Sequence, residues 1–312
     1  MTSSLLSRRA RAVAALAATA VFALTACSSS TDHESADGAT TSTTASPQRI
    51  AAISPDAAET VAELGAGDRL VLVPDSQTKP ALTNHLPVMQ SVGATIAAHG
   101  AADPEQIIAT DPDLVIITPR HEGETDVAAL LAHSSVPVLT LPNSWRTVDE
   151  MVANIRLIGD AIGTPDEAAA LADSITRSVD AITPMSGRAP SVLVLSNQAG
   201  RPMVNAGSGF TLDLVRRAGG TNAADAIGLQ RTGVADPEQI ALAGPDAILL
   251  VDMRGAGRES FASVLNHPAL AELAAVQEDR VLLLPGVQTQ AMGLNTVPTG
   301  LQQMHDWLAG LA

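Results

Sequence analysis

Short apolar runs alternate with segments of helical periodicity along most of the chain. Runs such as 50–53, 114–117 and 247–251 hold four or five apolar residues between polar neighbours. This length is too short for a helix and is typical of strands buried on both faces of a parallel sheet. Because helical segments separate these runs, the pattern predicts an α/β fold.

One stretch departs from this alternation. Residues 147–184 have helical periodicity throughout, except for an interruption at Gly163-Thr164-Pro165, and Val148, Met151 and Ile155 belong to one apolar face. A helix from Pro165 to Ile182 would be about 27 Å long at the usual rise per residue, enough to bridge two lobes. The predicted organisation is a leader (1–26), a tether (27–47), a first lobe (48–146), a helical bridge (147–187) and a second lobe (188–312).

A repeated hexapeptide supports two similarly built lobes. The segment Ala102–Ile107 recurs letter for letter at Ala235–Ile240, and a Pro-Asp pair follows each copy at the same distance, at 112–113 and 245–246. Each copy predicts a short helix that leads into a buried parallel strand. Two similar lobes predict a cleft between them, which is where ligands commonly bind.

Within the repeat, two acids have different expected roles. Asp103 and Asp236 occupy the position of a helix N-cap, and a proline follows each at the first helical position. Glu105 and Glu238 then lie in the first turn and are expected to be exposed. A first-turn acid favours the helix dipole, but one exposed acid per lobe also offers a matched pair to a basic partner.

The amino-terminal segment predicts export and lipid anchoring. Arg8, Arg9 and Arg11 precede an apolar stretch, 12–24, that is too short to span a bilayer comfortably. Leu24-Thr25-Ala26-Cys27 has the form of a bacterial lipobox and resembles sites where the cysteine thiol is lipidated. We therefore expect the folded body to lie on the outer face of the cell membrane, anchored through Cys27. Export by the general or the twin-arginine route remains open.

Composition narrows the possible partners. Removal of the leader, with its three arginines, leaves 15 basic and 33 acidic residues, a net charge of −18. This charge argues against binding to nucleic acid or to anionic lipid surfaces. Cys27 is the only cysteine, so no disulfide forms within the chain. Tyrosine is absent and aromatic residues make up 2% of the sequence, so few side chains could stack on a ligand.

Several segments together resemble the substrate-binding proteins of ABC importers for iron chelates, haem and cobalamin. The resemblance covers roughly residues 48–312. The segments that carry it are Arg49-Ile50, Glu63–Val71, Val92-Gly93, both copies of the repeat, Asn154–Gly159 and Ala218–Asn222.

This resemblance implies the class III periplasmic-binding-protein architecture, with two α/β lobes, one long rigid helix between them and the ligand in the cleft. It also implies a monomer without enzymatic activity or intrinsic cofactor. In that family an exposed glutamate of each lobe meets an arginine of the membrane permease. Glu105 and Glu238 match these positions, so the resemblance supplies a partner for the repeated acids.

The candidate ligand-binding residues lie on loops that follow predicted strands, because open α/β sheets bind ligands beyond the carboxyl ends of their strands. Arginines on such loops suit an anionic ferric siderophore, and Trp145 is the best aromatic candidate. His99 lies where haem binders of the family place an axial ligand, with Met292 or solvent as the second ligand. His121 and its neighbouring acids could bind a bare metal ion. The arginines are Arg120, Arg146, Arg201 and Arg254.

These candidates leave three ligands open, with a ferric siderophore first, haem second and cobalamin last. Cobalamin is last because aromatic residues, which line the pockets of cobalamin binders, are scarce in this chain. Two alternatives are a protein that binds bare zinc or manganese and a sensory or structural pair of lobes without transport. A hydrolase is disfavoured, since the chain has no Gly-x-Ser-x-Gly elbow and no cysteine nucleophile in its body.

Overall fold

The computed structural model describes residues 46–97, 103–118, 122–131, 133–183, 185, 187–197 and 200–311, without the side chains of 122–125. Residues 45–312 form one compact unit. No helix in the described part of the chain is long and apolar enough to cross a membrane.

The first sheet has five parallel strands in the order β3-β2-β1-β4-β5. Its strands are β1 (Ile50–Ala52), β2 (Leu70–Pro74), β3 (Thr95–Ile96), β4 (Leu114–Ile117) and β5 (Val138–Thr140). The helices of this lobe are α1 (Pro55–Val61), α2 (Leu86–Ser91), α3 (Pro104–Ile108) and α4 (Glu122–Leu131).

Two helices follow, α5 (Val148–Ile162) and α6 (Pro165–Asp180). The predicted interruption separates them, because Gly163 adopts a left-handed conformation (φ 77°) that ends α5. The bridge is thus a packed helix pair. Helix α5 contacts α1 of the first lobe and α7 (Phe210–Arg217) of the second lobe, while α6 contacts α12 (Val297–Ala309) of the second lobe.

The second sheet is mixed. Strands β11, β10 and β6 are parallel to one another, β7 is antiparallel to both β6 and β9, and β8 pairs with the start of β6. Its strands are β6 (Ser191–Ser196), β7 (Met203–Val204), β8 (Thr221–Asn222), β9 (Gly233–Val234), β10 (Ala247–Asp252) and β11 (Val281–Pro285). Its helices are α7 (Phe210–Arg217), α8 (Pro237–Ala243), α9 (Ala262–Leu265), α10 (Ala274–Gln277), α11 (Gly286–Thr289) and α12 (Val297–Ala309).

One hydrophobic core runs through both lobes and the bridge. Ile50 of the first sheet, Met151 and Ile155 of α5, and Leu249 of the second sheet belong to the same buried cluster. Two further clusters fill the other face of each sheet. Because apolar packing is close and continuous across the bridge, the lobes are held as one body. These features confirm the predicted α/β fold with two mainly parallel lobes and a helical bridge.

Both copies of the repeat build the same unit. The Asp103 carboxylate accepts a hydrogen bond from the Glu105 amide at 2.9 Å, and the Asp236 carboxylate accepts one from the Glu238 amide at 3.0 Å. The capped helices, α3 and α8, lead into β4 and β10, each of which pairs in parallel with its neighbours. The predicted helix-to-strand unit is therefore confirmed in both lobes.

Candidate functional site

The carboxyl ends of the parallel strands define the candidate site. In the second lobe, β6 and β10 run side by side and end together, with Val251 opposite Ser196. Asn197 directly follows β6 and Asp252 is the last residue of β10, and both are buried. In the first lobe, Ser54 and Thr118 lie just beyond the ends of β1 and β4, and their hydroxyl oxygens are 3.2 Å apart.

Asp252 organises the loop that carries Arg254. Its carboxylate accepts hydrogen bonds from the Asn197 amide group at 2.9 Å and from the backbone amides of Arg254, Ala256 and Gly257 at 2.7–3.2 Å. Burial alone would raise the pKa of Asp252, but these hydrogen bonds outweigh burial and lower the pKa. The loop after β10 is therefore fixed around a buried anion.

Each of these two second-lobe loops carries an arginine, Arg201 after β6 and Arg254 after β10. A Cβ atom built on Gly200 (φ 76°) would lie 3.3 Å from Nη1 of Arg254, so the Arg254 guanidinium lies beside the loop that carries Arg201. Both arginines are exposed, and neither forms an ion pair with the residues that the structure describes. The same holds for the exposed Arg146 of the first lobe. The guanidinium groups of these arginines thus have no ion-pair partner among the described residues.

A small polar cavity of about 170 Å³ lies at the beginning of α7. Because α7 leads back to β8, which pairs with the start of β6, its first residues lie toward the ligand edge of the sheet. This volume is smaller than that of most small-molecule sites. A larger cavity of about 260 Å³ lies between α9, α10 and the amino end of β11, away from this edge.

Trp145 does not line an open surface. Its side chain is 2% exposed, it packs in the continuous core, and its indole N–H donates to Thr118 at 3.0 Å. Its left-handed backbone (φ 57°) is held by Asn143, whose side-chain oxygen accepts from the Trp145 amide at 3.2 Å. Trp145 is thus a core residue in this structure, and its role as the aromatic anchor for a ligand stays a prediction.

Met292 also differs from the expectation. It is 6% exposed, and its sulfur accepts a hydrogen bond from Gln77 Nε2 at 3.5 Å, across the contact between the lobes. A haem iron could not approach this sulfur without disrupting that contact. Met292 packs between the lobes in this structure, and its role as an axial ligand stays a prediction.

A cluster of ionisable side chains, formed by the buried Glu59 and the partly buried Glu63 and His85, lies where the lobes meet. Glu59 is fully buried and accepts from the Thr83 hydroxyl at 2.7 Å and the Asn84 amide at 2.6 Å. Burial raises the pKa of Glu59. One turn later, Glu63 contacts His85 Nε2 at 2.7 Å and accepts from the Asn295 side chain at 2.5 Å. The pattern of the sequence gave no signal for this cluster, since Glu63 and Asn295 are 232 positions apart.

We expect the replacement His85→Gln to destabilise the protein by roughly 1.5 kcal/mol near pH 6, the usual value of a hydrogen bond to a charged group. The hydrogen bond to Glu63 raises the pKa of His85 above its ordinary value, although burial opposes this. A raised folded-state pKa means that protonated His85 stabilises the fold fully below the unfolded-state pKa, about 6.5, and that this contribution is lost as pH rises through the folded-state value.

Urea unfolding of both proteins at pH 6 and pH 9 measures this effect. The difference in unfolding free energy should be largest at pH 6 and should shrink at pH 9. His305→Gln, which removes a histidine beside the exposed Asp306, is the matched control and should change stability little at either pH. An equal loss for His85→Gln at both pH values would contradict the ionic role.

Three candidate residues, His99, Arg120 and His121, lie outside the described residues, as does Cys27. Their roles remain predictions. Among the side chains that the structure describes, no group of three or more His, Cys, Asp or Glu residues could hold a metal ion. Glu105 and Glu238 are both exposed at the beginnings of α3 and α8, as the sequence predicts.

Comparison with known proteins identifies the fold. A family model described as periplasmic binding protein matches residues 50–287. No curated protein matches the sequence.

Solved structures with a similar fold include three binding proteins. The haem-binding protein RhuT from Roseiflexus sp. RS-1 is 24% identical with a TM-score of 0.68, over 85% of this chain and 98% of that one. The haem-binding protein HutB of Vibrio cholerae is 20% identical with a TM-score of 0.66, over 84% and 98%. The vitamin B12-binding protein BtuF of Vibrio cholerae is 20% identical with a TM-score of 0.69, over 85% and 98%. At sequence identities this low, the structural similarity establishes a common fold only.

Proposed function

The chain belongs to the periplasmic binding protein family, and from this premise we propose that it captures an anionic metal chelate between its lobes and delivers it to the permease of an ABC importer. Membership of this family confirms the expectation of a binding protein rather than an enzyme. In this proposal the chelate is cargo, and the protein needs no cofactor of its own.

The observation that carries the proposal is the pair of unpaired arginines, Arg201 and Arg254. Their loops follow two adjacent parallel strands, and Asp252 fixes the second loop through hydrogen bonds from three backbone amides. In a chain with a strong excess of acids, two exposed arginines on neighbouring loops, without ion-pair partners among the described residues, favour an anionic ligand. Guanidinium groups bind carboxylates and similar oxyanions with paired hydrogen bonds.

A ferric siderophore is the first candidate and haem the second. A flat porphyrin would gain from exposed aromatic side chains, but Trp145, Phe210 and Phe261 are each at least 96% buried. Trp307 is half-buried and lies near the end of α12, remote in sequence from the ligand loops. Haem remains a candidate because the similar structures include haem-binding proteins and because His99 could bind its iron.

A ligand panel tests this proposal. Tryptophan fluorescence and visible absorbance are followed while hemin, several ferric siderophores, cobalamin, Zn²⁺ and Mn²⁺ are added separately. Saturable binding of a ferric siderophore supports the first candidate. A Soret shift that is lost in His99→Ala supports haem instead. Binding of the bare ions alone supports the metal-ion alternative, and no response to any chelate contradicts the proposal.

We further propose that Glu105 and Glu238 contact basic residues of the permease. Both carboxylates are exposed, each lies in the first turn of the same repeated unit, and neither forms an ion pair within the described part of the chain. An exposed ion pair contributes about 1 kcal/mol or less. Docking through these contacts is weak enough to let the binding protein leave after delivery.

Anchoring depends in this proposal on the lipid attached to Cys27. We expect Cys27→Ala to move the mature protein from the membrane fraction to the soluble fraction, since the acidic body has little affinity for anionic lipids. Cell fractionation with immunoblotting measures the distribution, and Ser28→Ala is the control that should stay with the membrane. Continued membrane association of the Cys27→Ala protein would contradict lipid anchoring.

A further inference from the structure

Exposed apolar side chains accompany the repeated glutamates. Among the residues that the structure describes, five large apolar side chains are more than one-third exposed; two of them lie on the repeated helices and a third directly precedes the second copy of the repeat. These three are Ile108 (45%), Val234 (52%) and Leu242 (80%). The other two are Leu130 and Leu157.

The spacing places these side chains beside the acids. Ile108 is three residues after Glu105 on α3, and Leu242 is four residues after Glu238 on α8. Residues at these separations are neighbours on a helix surface. Val234 lies on β9, directly before the cap of α8. The opposite side of each helix is the buried one, since Ile107 and Ile240 are fully covered.

The charge of these segments restricts what could cover them. The two helices with their caps, residues 103–108 and 236–243, contain four acids, all exposed, and no Lys, Arg or His. A second copy of this chain would bring the same acids against them, and an anionic lipid surface would also be repelled. A partner that presents basic side chains around an apolar surface is complementary to both segments.

We propose that Ile108, Val234 and Leu242 form the apolar part of the permease-docking surface, next to Glu105 and Glu238. This inference rests on the proposed function and adds a second kind of contact to it. Solvated ion pairs alone dock weakly, whereas exposed apolar side chains gain free energy only when a partner covers them. The apolar contacts therefore supply affinity, and the acids supply orientation.

Uptake of a radioactive iron chelate by cells that carry the full-length protein tests the inference. Leu242→Ser should reduce the uptake rate about tenfold at unchanged chelate affinity. Leu157→Ser, which alters an exposed leucine of α5 away from the repeats, is the matched control and should stay within twofold of the unaltered protein. Equal uptake by both variants would overturn the inference.

Photo-crosslinking separates this surface from the identity of the chelate. Leu242 is replaced by p-benzoylphenylalanine in the full-length chain. Cells that produce this variant are irradiated, and the crosslinked adduct is identified by mass spectrometry. An adduct with a membrane subunit of an importer supports the surface even if no iron chelate is taken up. An adduct with a second copy or with lipid, or labelling no stronger than at position 157, overturns it.

Discussion

The double variant Glu105→Lys and Glu238→Lys is expected to lose chelate uptake almost completely while its affinity for the chelate stays unchanged. Each reversal exchanges an attraction of about 1 kcal/mol for a repulsion of similar or larger size. The two changes together cost roughly 4 kcal/mol, which corresponds to docking that is about a thousandfold weaker. Each single variant should lie between the double variant and the unaltered protein.

Initial uptake rates and a direct binding titration measure the two properties separately. Each reversal also removes an acid from the first turn of a helix, which costs up to about 1 kcal/mol of stability. Glu167→Lys is therefore the matched control, because Glu167 is an exposed acid in the first turn of α6. This control should transport normally. A double variant with lost chelate binding would show that these glutamates line the ligand site instead.

The double variant Arg201→Ala and Arg254→Ala is expected to bind an anionic ferric chelate about a hundredfold more weakly. A hydrogen bond to a charged group is worth about 1.5–3 kcal/mol, and exposure of both arginines justifies the lower end, about tenfold for each. The affinity of the unaltered protein for the anionic chelate should also decrease as the salt concentration is raised from about 0.05 to about 0.5 M, since salt screens exposed charges.

Equilibrium titration of the variants with a charged and an uncharged ferric complex measures this effect. The uncharged complex should lose little affinity, because the arginines act through their charge. Arg177→Ala on α6 is the control, as Arg177 is exposed and lies outside both ligand loops. Unchanged binding of the anionic chelate by the double variant would remove the observation on which the proposed ligand class depends.

The structure also shows where two of the candidate ligand residues lie. Trp145 and Met292 follow strands or turns near the ligand edge, as expected from the sequence, but their side chains turn into the protein. The hydrogen bond from Trp145 to Thr118 and the one from Gln77 to Met292 join residues 27 and 215 positions apart. Position after a strand predicts the edge of a sheet, but it does not predict the direction of a side chain.

The amino-acid sequence by itself determined the α/β alternation, the helical bridge, the repeated capped helices and the exposure of Glu105 and Glu238. These features depend on periodicity, capping and chain direction within some ten residues, so local sequence contains them. Only the tertiary structure decided that Trp145 is core, that Asp252 fixes the loop of Arg254, and that Glu63 joins His85 to Asn295. Those contacts arise when distant segments pack together, and burial then sets which polar groups must pair and which charges remain for a ligand.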